Sequence, residues 1–317
     1  AQPGHHRILM SLLASNARPA EAGRRPRSQL RRAIPIYLFL LPGLGLYALW
    51  MLYPLASALF MSFFDWQLAR PSPFVGFENY TRAFADPLFW RALVNSAGYT
   101  VVTVAGQLVL GLGVALLLHE RLPLRSFLRL IYYLPVITSW VVVSLIFVYL
   151  YNGQSGALNW LLVDVLGVLQ RDVAWLAEPA TALWAVAALG IWKGVGWTMV
   201  VFLAGLQGVP KELYEAAAID GADRRATFRH ITLPSIARTT GFLLVALTLG
   251  GLSVFVSIFV MTDGGPLNSS EVLLTYMYKQ AFERLDLGYG AALAYVFAAV
   301  FFVIALIELW FVRRRLT

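Results

Sequence analysis

Lys193 is the residue whose type and place could do the most chemistry in this chain. It interrupts a long apolar stretch, with Trp192 beside it and Trp197 one helical turn on. A charge at membrane depth is expensive unless it faces a cavity or a partner. An ammonium has three donors to offer to hydroxyls or to an anion, and an indole face stacks on apolar faces such as those of sugars. Two readings stand open. Either these three side chains face a path through the membrane, or Lys193 snorkels or pairs at a subunit interface while the indoles pack helices. Trp140, after Leu134-Pro135, is a further candidate for the first reading.

Other reactive constellations are missing. The four His residues are His5, His6, His119 and His230, and none forms a His-x-x-x-His pair. His119-Glu120 reads as a solvated helix end. Gly106, Gly111 and Gly113 are followed by no Gly-Lys-Ser/Thr, so they form no phosphate loop and are expected to pack helices closely. There is no Gly-x-Ser-x-Gly elbow and no carboxylate pair within an apolar run. The absence of Cys excludes disulfides and thiolate metal sites. We therefore expect no enzyme, no bound metal and no cofactor held by this chain.

The elements that position Lys193 follow from composition. Hydrophobic residues make up 59% of the chain, charged residues 13%, and the mean hydropathy is +0.68. Soluble domains carry about twice that share of charge. Runs free of Asp, Glu, Lys and Arg cover Ala33–Phe64, Ala92–Leu118, Leu130–Val163, Pro179–Trp192, Gly194–Pro210, Thr239–Thr262 and Leu287–Ile307. Lys193 alone separates two of them. A spanning helix needs roughly 20 apolar residues. The expected fold is an all-α membrane protein with six spans, near 35–60, 94–118, 131–151, 182–207, 238–261 and 288–311.

Charge orients these spans. The formal charge of +8 comes from 25 Lys and Arg. Most lie in residues 1–32, at Arg121, Arg125 and Arg129, between Lys211 and Arg238, and at Arg313–Arg315. Arg70, Arg82, Arg91, Arg171, Lys279 and Arg284 fall on the other side. The positive-inside rule makes both termini cytoplasmic and explains the basic excess without nucleic acid. The first run is too long and too rich in Pro for a signal peptide, and residues 1–32 read as a basic, disordered tail ahead of one membrane domain over 33–317.

Between the fourth and fifth spans lies a charged stretch, Glu212-Leu213-Tyr214-Glu215-Ala216-Ala217-Ala218-Ile219-Asp220-Gly221-Ala222, followed by Phe228, Ile231, Leu233 and Pro234. The small residues at 216–218 let another surface come close. Asp220 begins a turn that Gly221 permits, and Pro234 marks where the second short helix kinks or stops. Such a helical hairpin on the basic side is a docking knob for a soluble partner.

Glu215-Ala216-Ala217-Ala218-Ile219-Asp220-Gly221-Ala222, with Phe228 and Ile231-Thr232-Leu233-Pro234, resembles the EAA loop of binding-protein-dependent ABC importer permeases. Ile191-Trp192-Lys193-Gly194, Phe202–Gln207 with Pro210, and Met261-Thr262-Asp263-Gly264-Gly265-Pro266 with Ser269 and Ser270 resemble the carbohydrate-uptake branch, typified by maltose and glycerol-phosphate permeases. The resemblance runs from about residue 35 to the end. Arg238 departs from it, standing where the family often has a second Pro.

The resemblance implies an inner-membrane permease of a bacterium or archaeon, set in the bilayer with a second permease subunit. It implies two ATPase subunits that hold ATP and Mg, and an extracytoplasmic solute-binding protein. Glu212, Glu215, Ala216, Ala217, Asp220, Gly221, Ala222, Phe228 and Pro234 then form a cytoplasmic coupling helix and its return. A solute pocket is implied at Trp192, Lys193, Gly194 and Trp197, facing Leu247, Gly251 and Val254 on the fifth span. Maltose-type permeases offer Ser and Asn at those last positions, so the polar contacts come from the partner permease or the solute differs. A polyol or glycerol phosphate is the alternative cargo. A secondary transporter would want carboxylates at span centres, and Glu308 reads as interfacial.

Overall fold

The computed structural model describes residues 26–67, 72–120 and 123–316. The expected tail lies outside the described residues up to residue 25, as do Arg70 and Arg121. The chain divides into two compact units, residues 1–57 and 58–317. In the first, helix α1 spans Pro26–Tyr47, which makes residues 26–32 of the expected tail helical. It continues through a π-turn, Ala48–Leu52, into α2, Tyr53–Met61. Pro35 and Pro42 lie inside α1.

The second unit is all helix and loop. A short α3 (Glu78–Ala85) leads into α4 (Pro87–His119), whose start is capped by Asp86 accepting from the Leu88 N–H. Then come α5 (Arg125–Ile137), α6 (Trp140–Leu150), a one-turn α7 (Ala157–Asn159) and α8 (Ala182–Gln207). After α8 follow α9 (Lys211–Ile219), α10 (Arg224–Thr227), α11 (Leu233–Ser235), α12 (Ala237–Leu252) and α13 (Val256–Met261). The last two are α14 (Leu273–Tyr278) and α15 (Leu287–Leu316).

Among the described residues five stretches are long and apolar enough to cross a membrane: Tyr37–Met61, Pro87–His119, Ala182–Gln207, Ala237–Met261 and Leu287–Arg314. The third span, expected as one helix near 131–151, is instead the pair α5 and α6, bent by 98°. The cause is local. Pro135 has no N–H to give the carbonyl one turn back, and Thr138 and Ser139 are extended, at ψ 150° and 136°.

The most deeply buried span is α8, against which both α4 and α5 pack. Two apolar clusters follow its length, one around Leu189, Val186, Val143 and Ile258, the other around Met199, Phe202, Leu206 and Leu243. Gly106 and Gly111 of α4 leave room for Ile191 and Thr198 of α8, as close packing requires, whereas a Cβ at Gly113 would meet nothing within 4 Å beyond its own helix. Glu308, expected at the interface, accepts a 2.7 Å hydrogen bond from Thr248 of α12.

Candidate functional site

The hairpin between α8 and α12 is closed by its own backbone. The Gly221 N–H bonds the Ala218 carbonyl and the Ala222 N–H bonds that of Ala217, at 3.2 and 2.9 Å. Gly221 stands at φ +74°, the left-handed conformation that ends a helix. The return helix α10 is capped by Asp223, which accepts from the Ala226 N–H at 2.6 Å. A π-turn over Phe228–Thr232 then carries the chain to Pro234 in α11, and Ile236 breaks the helix before α12.

The residues expected to couple fall on two faces. Glu212, Glu215, Ala216, Asp220, Ala222, Phe228 and Pro234 are exposed. Ile219 is 86% exposed at the tip. Ala217 is buried, so its small size serves packing inside the hairpin and not the approach of another surface. At the base, Tyr214 and Thr232 share a 3.3 Å hydroxyl bond, and Tyr214 packs on the cluster of Leu206, Val209 and Ile236. The base of the hairpin is thus packed on residues at the ends of α8 and α12.

Lys193 lies at the other candidate site, and it is 3% exposed. Its Nζ donates to the carbonyls of Pro135 at 2.6 Å and Thr138 at 2.7 Å, and stands 4.9 Å from the centre of the Trp140 ring. Among the described residues no carboxylate pairs with it. Two roles were open for this lysine, and the geometry commits its ammonium to the chain's own broken span. Gly196, one turn along α8, allows α5 to come this near: a Cβ there would overlap the Tyr132 carbonyl.

The other pocket candidates are dispersed. Trp192 lines an apolar cavity of about 800 Å³ with Ile131, Leu134 and Val195, and its ring meets Phe147 at 5.3 Å. Trp197 packs on Phe242 at 6.4 Å, and Leu247 is core. Gly194 is filled against Gln107, and Gly251 lies against Thr100 of α4. Trp140 and Val254 do share one space. They line a cavity of about 330 Å³ with Tyr99, Gly250, Ser253, Phe255, Val256 and Ser257. This space lies where α5/α6 and α12/α13 are both interrupted, and where α6 packs on α13. The sequence reading missed Ser253, Ser257 and Tyr99. The available signal was Gly250-Gly251 followed by Ser253 inside a span, since a Gly-interrupted span often lines a binding cavity.

At the far end of α12/α13 from the hairpin, the Gly264-Gly265-Pro266 loop is held by charge. Lys279 bonds buried Glu271 at 2.8 Å and Asp263 at 3.1 Å. Burial alone would lower the pKa of the Lys279 ammonium, but the two carboxylates raise it overall. Nearby, the Tyr276 hydroxyl donates to Asp86; burial and that carboxylate push its pKa up. Arg82 completes the cluster, 2.8 Å from Asp286 and over the Tyr289 ring.

Known proteins resemble this chain in sequence and in fold. The family model for the binding-protein-dependent transport system inner membrane component matches residues 107–316. The probable ABC transporter permease protein YurN of Bacillus subtilis is 36% identical over 281 residues, covering 87% of this chain and 95% of its own. The diacetylchitobiose uptake system permease protein NgcF of Streptomyces coelicolor is 37% identical over 314 residues, covering 94% of this chain and 88% of its own. Among solved structures, a chain of a bacterial ABC transporter involved in the import of the acidic polysaccharide alginate matches with a TM-score of 0.79. It is 26% identical and covers 92% of this chain and 99% of its own length.

Proposed function

The chain belongs to the binding-protein-dependent transport system inner membrane component family, and from that premise we propose that it forms half of the path of an ATP-driven sugar or oligosaccharide importer. As a member it is a multi-pass inner-membrane permease subunit and not itself an enzyme. The sugar class is our reading. It draws on relatives named for diacetylchitobiose and arabinooligosaccharide uptake, and on a cavity lined by one Trp and two Ser residues.

Partner ATPase subunits supply ATP and Mg, a second permease completes the path, and a solute-binding protein delivers the cargo from outside. The termini and the hairpin face the cytoplasm. Closure of the ATPases moves the hairpin, and α8 and α12 carry that movement to the broken spans. This is coupling between distinct sites through a bistable assembly. Trp140, Val254, Ser253, Ser257 and Tyr99 offer contacts for the solute. Trp192 borders a second, apolar space.

The observation that carries the reading is the exposed hairpin tip, with Glu215 and Ile219 outward on a base welded to the core. Two substitutions test it. Glu215→Lys reverses the charge offered to a basic ATPase cleft, and Gly221→Val opposes the φ +74° turn. Both variants are expected to insert normally and to lose uptake. Normal uptake by either in an assembled complex defeats the coupling claim. Thermal-shift screening of the cognate binding protein against sugars, polyols and glycerol phosphate then identifies the cargo.

A further inference from the structure

We propose that Lys193 is a positioning residue: its ammonium replaces the missing donors at the end of α5 and holds the Trp140 indole across the cavity between the two interrupted spans. The proposal rests on reading that cavity as part of the solute path.

The carbonyls at a helix end have no amide partner within the helix, and the helix dipole makes that end negative. Water normally satisfies such groups. Inside a bilayer it is scarce, and each orphaned carbonyl costs several kcal/mol (order of magnitude). Here the chain turns by 98° directly after α5, so the amides of α6 point elsewhere. Within the turn, the Thr138 hydroxyl donates to Pro135 at 2.6 Å but leaves its own carbonyl open. Lys193 serves both carbonyls. Two of its three N–H bonds go to Pro135 and Thr138, and the ammonium stands over the Trp140 ring.

The donor is delivered by a helix held close for the purpose. Gly196 brings α8 against the Tyr132 carbonyl, and Lys193 lies one turn away on the same helix. The residue that looked like a solute ligand therefore acts through another one. It fixes which way Trp140 faces, and Trp140 borders the cavity with Ser253 and Ser257.

The test uses the complete transporter in proteoliposomes with its binding protein. Lys193→Met, Trp140→Phe, the double variant and Lys193→Arg are compared after each is shown to assemble. Lys193→Met is expected to lower uptake by about tenfold, the size of coupling that contacting residues reach. The double variant is expected to be no worse than the poorer single one, and Lys193→Arg, which restores donors, to recover part of the loss. The Trp140 contribution to emission, taken as the difference with and without Trp140→Phe, is expected to move to longer wavelength in the Lys193→Met background as water enters. The chain has no Cys, so Ser139→Cys gives one labelling site at the bend. Its reaction with a water-soluble maleimide is expected to quicken in the same background.

Unchanged emission and unchanged labelling in Lys193→Met overturn the positioning role, whatever uptake does. Losses that multiply in the double variant overturn it as well. If Trp140→Phe transports normally while emission and labelling shift as expected, the clamp stands and the reading of the cavity as the solute path fails.

Discussion

The third and fifth spans are both interrupted, and they recover their lost hydrogen bonds in opposite ways. Between α12 and α13 the chain mends itself. The Ser253 N–H and hydroxyl both reach the Leu249 carbonyl, at 3.2 and 2.8 Å, and the Val254 N–H takes that of Gly251 at 3.2 Å. The two pieces still run as a single span over Ala237–Met261. Between α5 and α6 the turn is 98°, local donors run out, and a cation from α8 takes over. The difference teaches that the direction of the chain after a break decides where its donors must come from. A shallow break is satisfied locally, while a sharp one needs a side chain from another helix and ties two helices into one mechanical unit.

The largest effect is expected where that tie depends on backbone contact. Gly196→Val places atoms on the Tyr132 carbonyl, and no flexible side chain is there to yield. We expect a loss of about 3 kcal/mol, the top of the overpacking range, or failure to assemble. Gly113→Ala is the control, because a Cβ at Gly113 meets nothing within 4 Å and α4 gains helix propensity. Thermal unfolding of the detergent-purified subunit separates the two. A mild Gly196→Val variant would show that α5 is not pinned to α8.

Next in size is the cation. Lys193→Met leaves the Pro135 and Thr138 carbonyls facing a thioether chain of similar length. Removing a buried charge relieves its desolvation, and for a matched ion pair replaced by hydrophobes that relief can dominate. Here the Thr138 carbonyl stays behind unpaired, while that of Pro135 keeps the Thr138 hydroxyl, so the balance is expected to be a loss of about 2 kcal/mol. A variant as stable as the parent would erase the contrast between the two breaks.

The contrast was only half legible in the sequence. The hairpin was read closely, from Glu212 to Pro234, because a charged, Ala-rich segment between apolar runs has few other uses. Spans 182–207 and 238–261 were placed within a residue of the observed limits for the same reason: apolar length registers on its own. The bend at Thr138 did not register, since hydropathy is blind to direction and Pro135 is compatible with a straight or a kinked span. Lys193 stood out by its cost, but what it bonds depends on backbone carbonyls that carry no residue signature. Leu247 and Gly251 were placed by resemblance, and the structure gives both to helix packing.

The smallest effect is expected at the self-mended break. The Ser253 hydroxyl reaches the same Leu249 carbonyl that its own N–H already serves, so it duplicates a bond. Ser253→Ala leaves no acceptor wholly unpaired, and the loss is expected to stay below about 0.5 kcal/mol, within the spread of neutral substitutions. That near-neutrality makes the variant informative. Ser253 is exposed on the Trp140 cavity and its hydroxyl can turn to a passing solute. Uptake is then expected to fall severalfold while unfolding stays where it was, which is the reverse of the pattern for Gly196→Val. If Ser253→Ala unfolds as readily as Lys193→Met, the fifth span is not self-satisfied, and the two breaks are variations on one device.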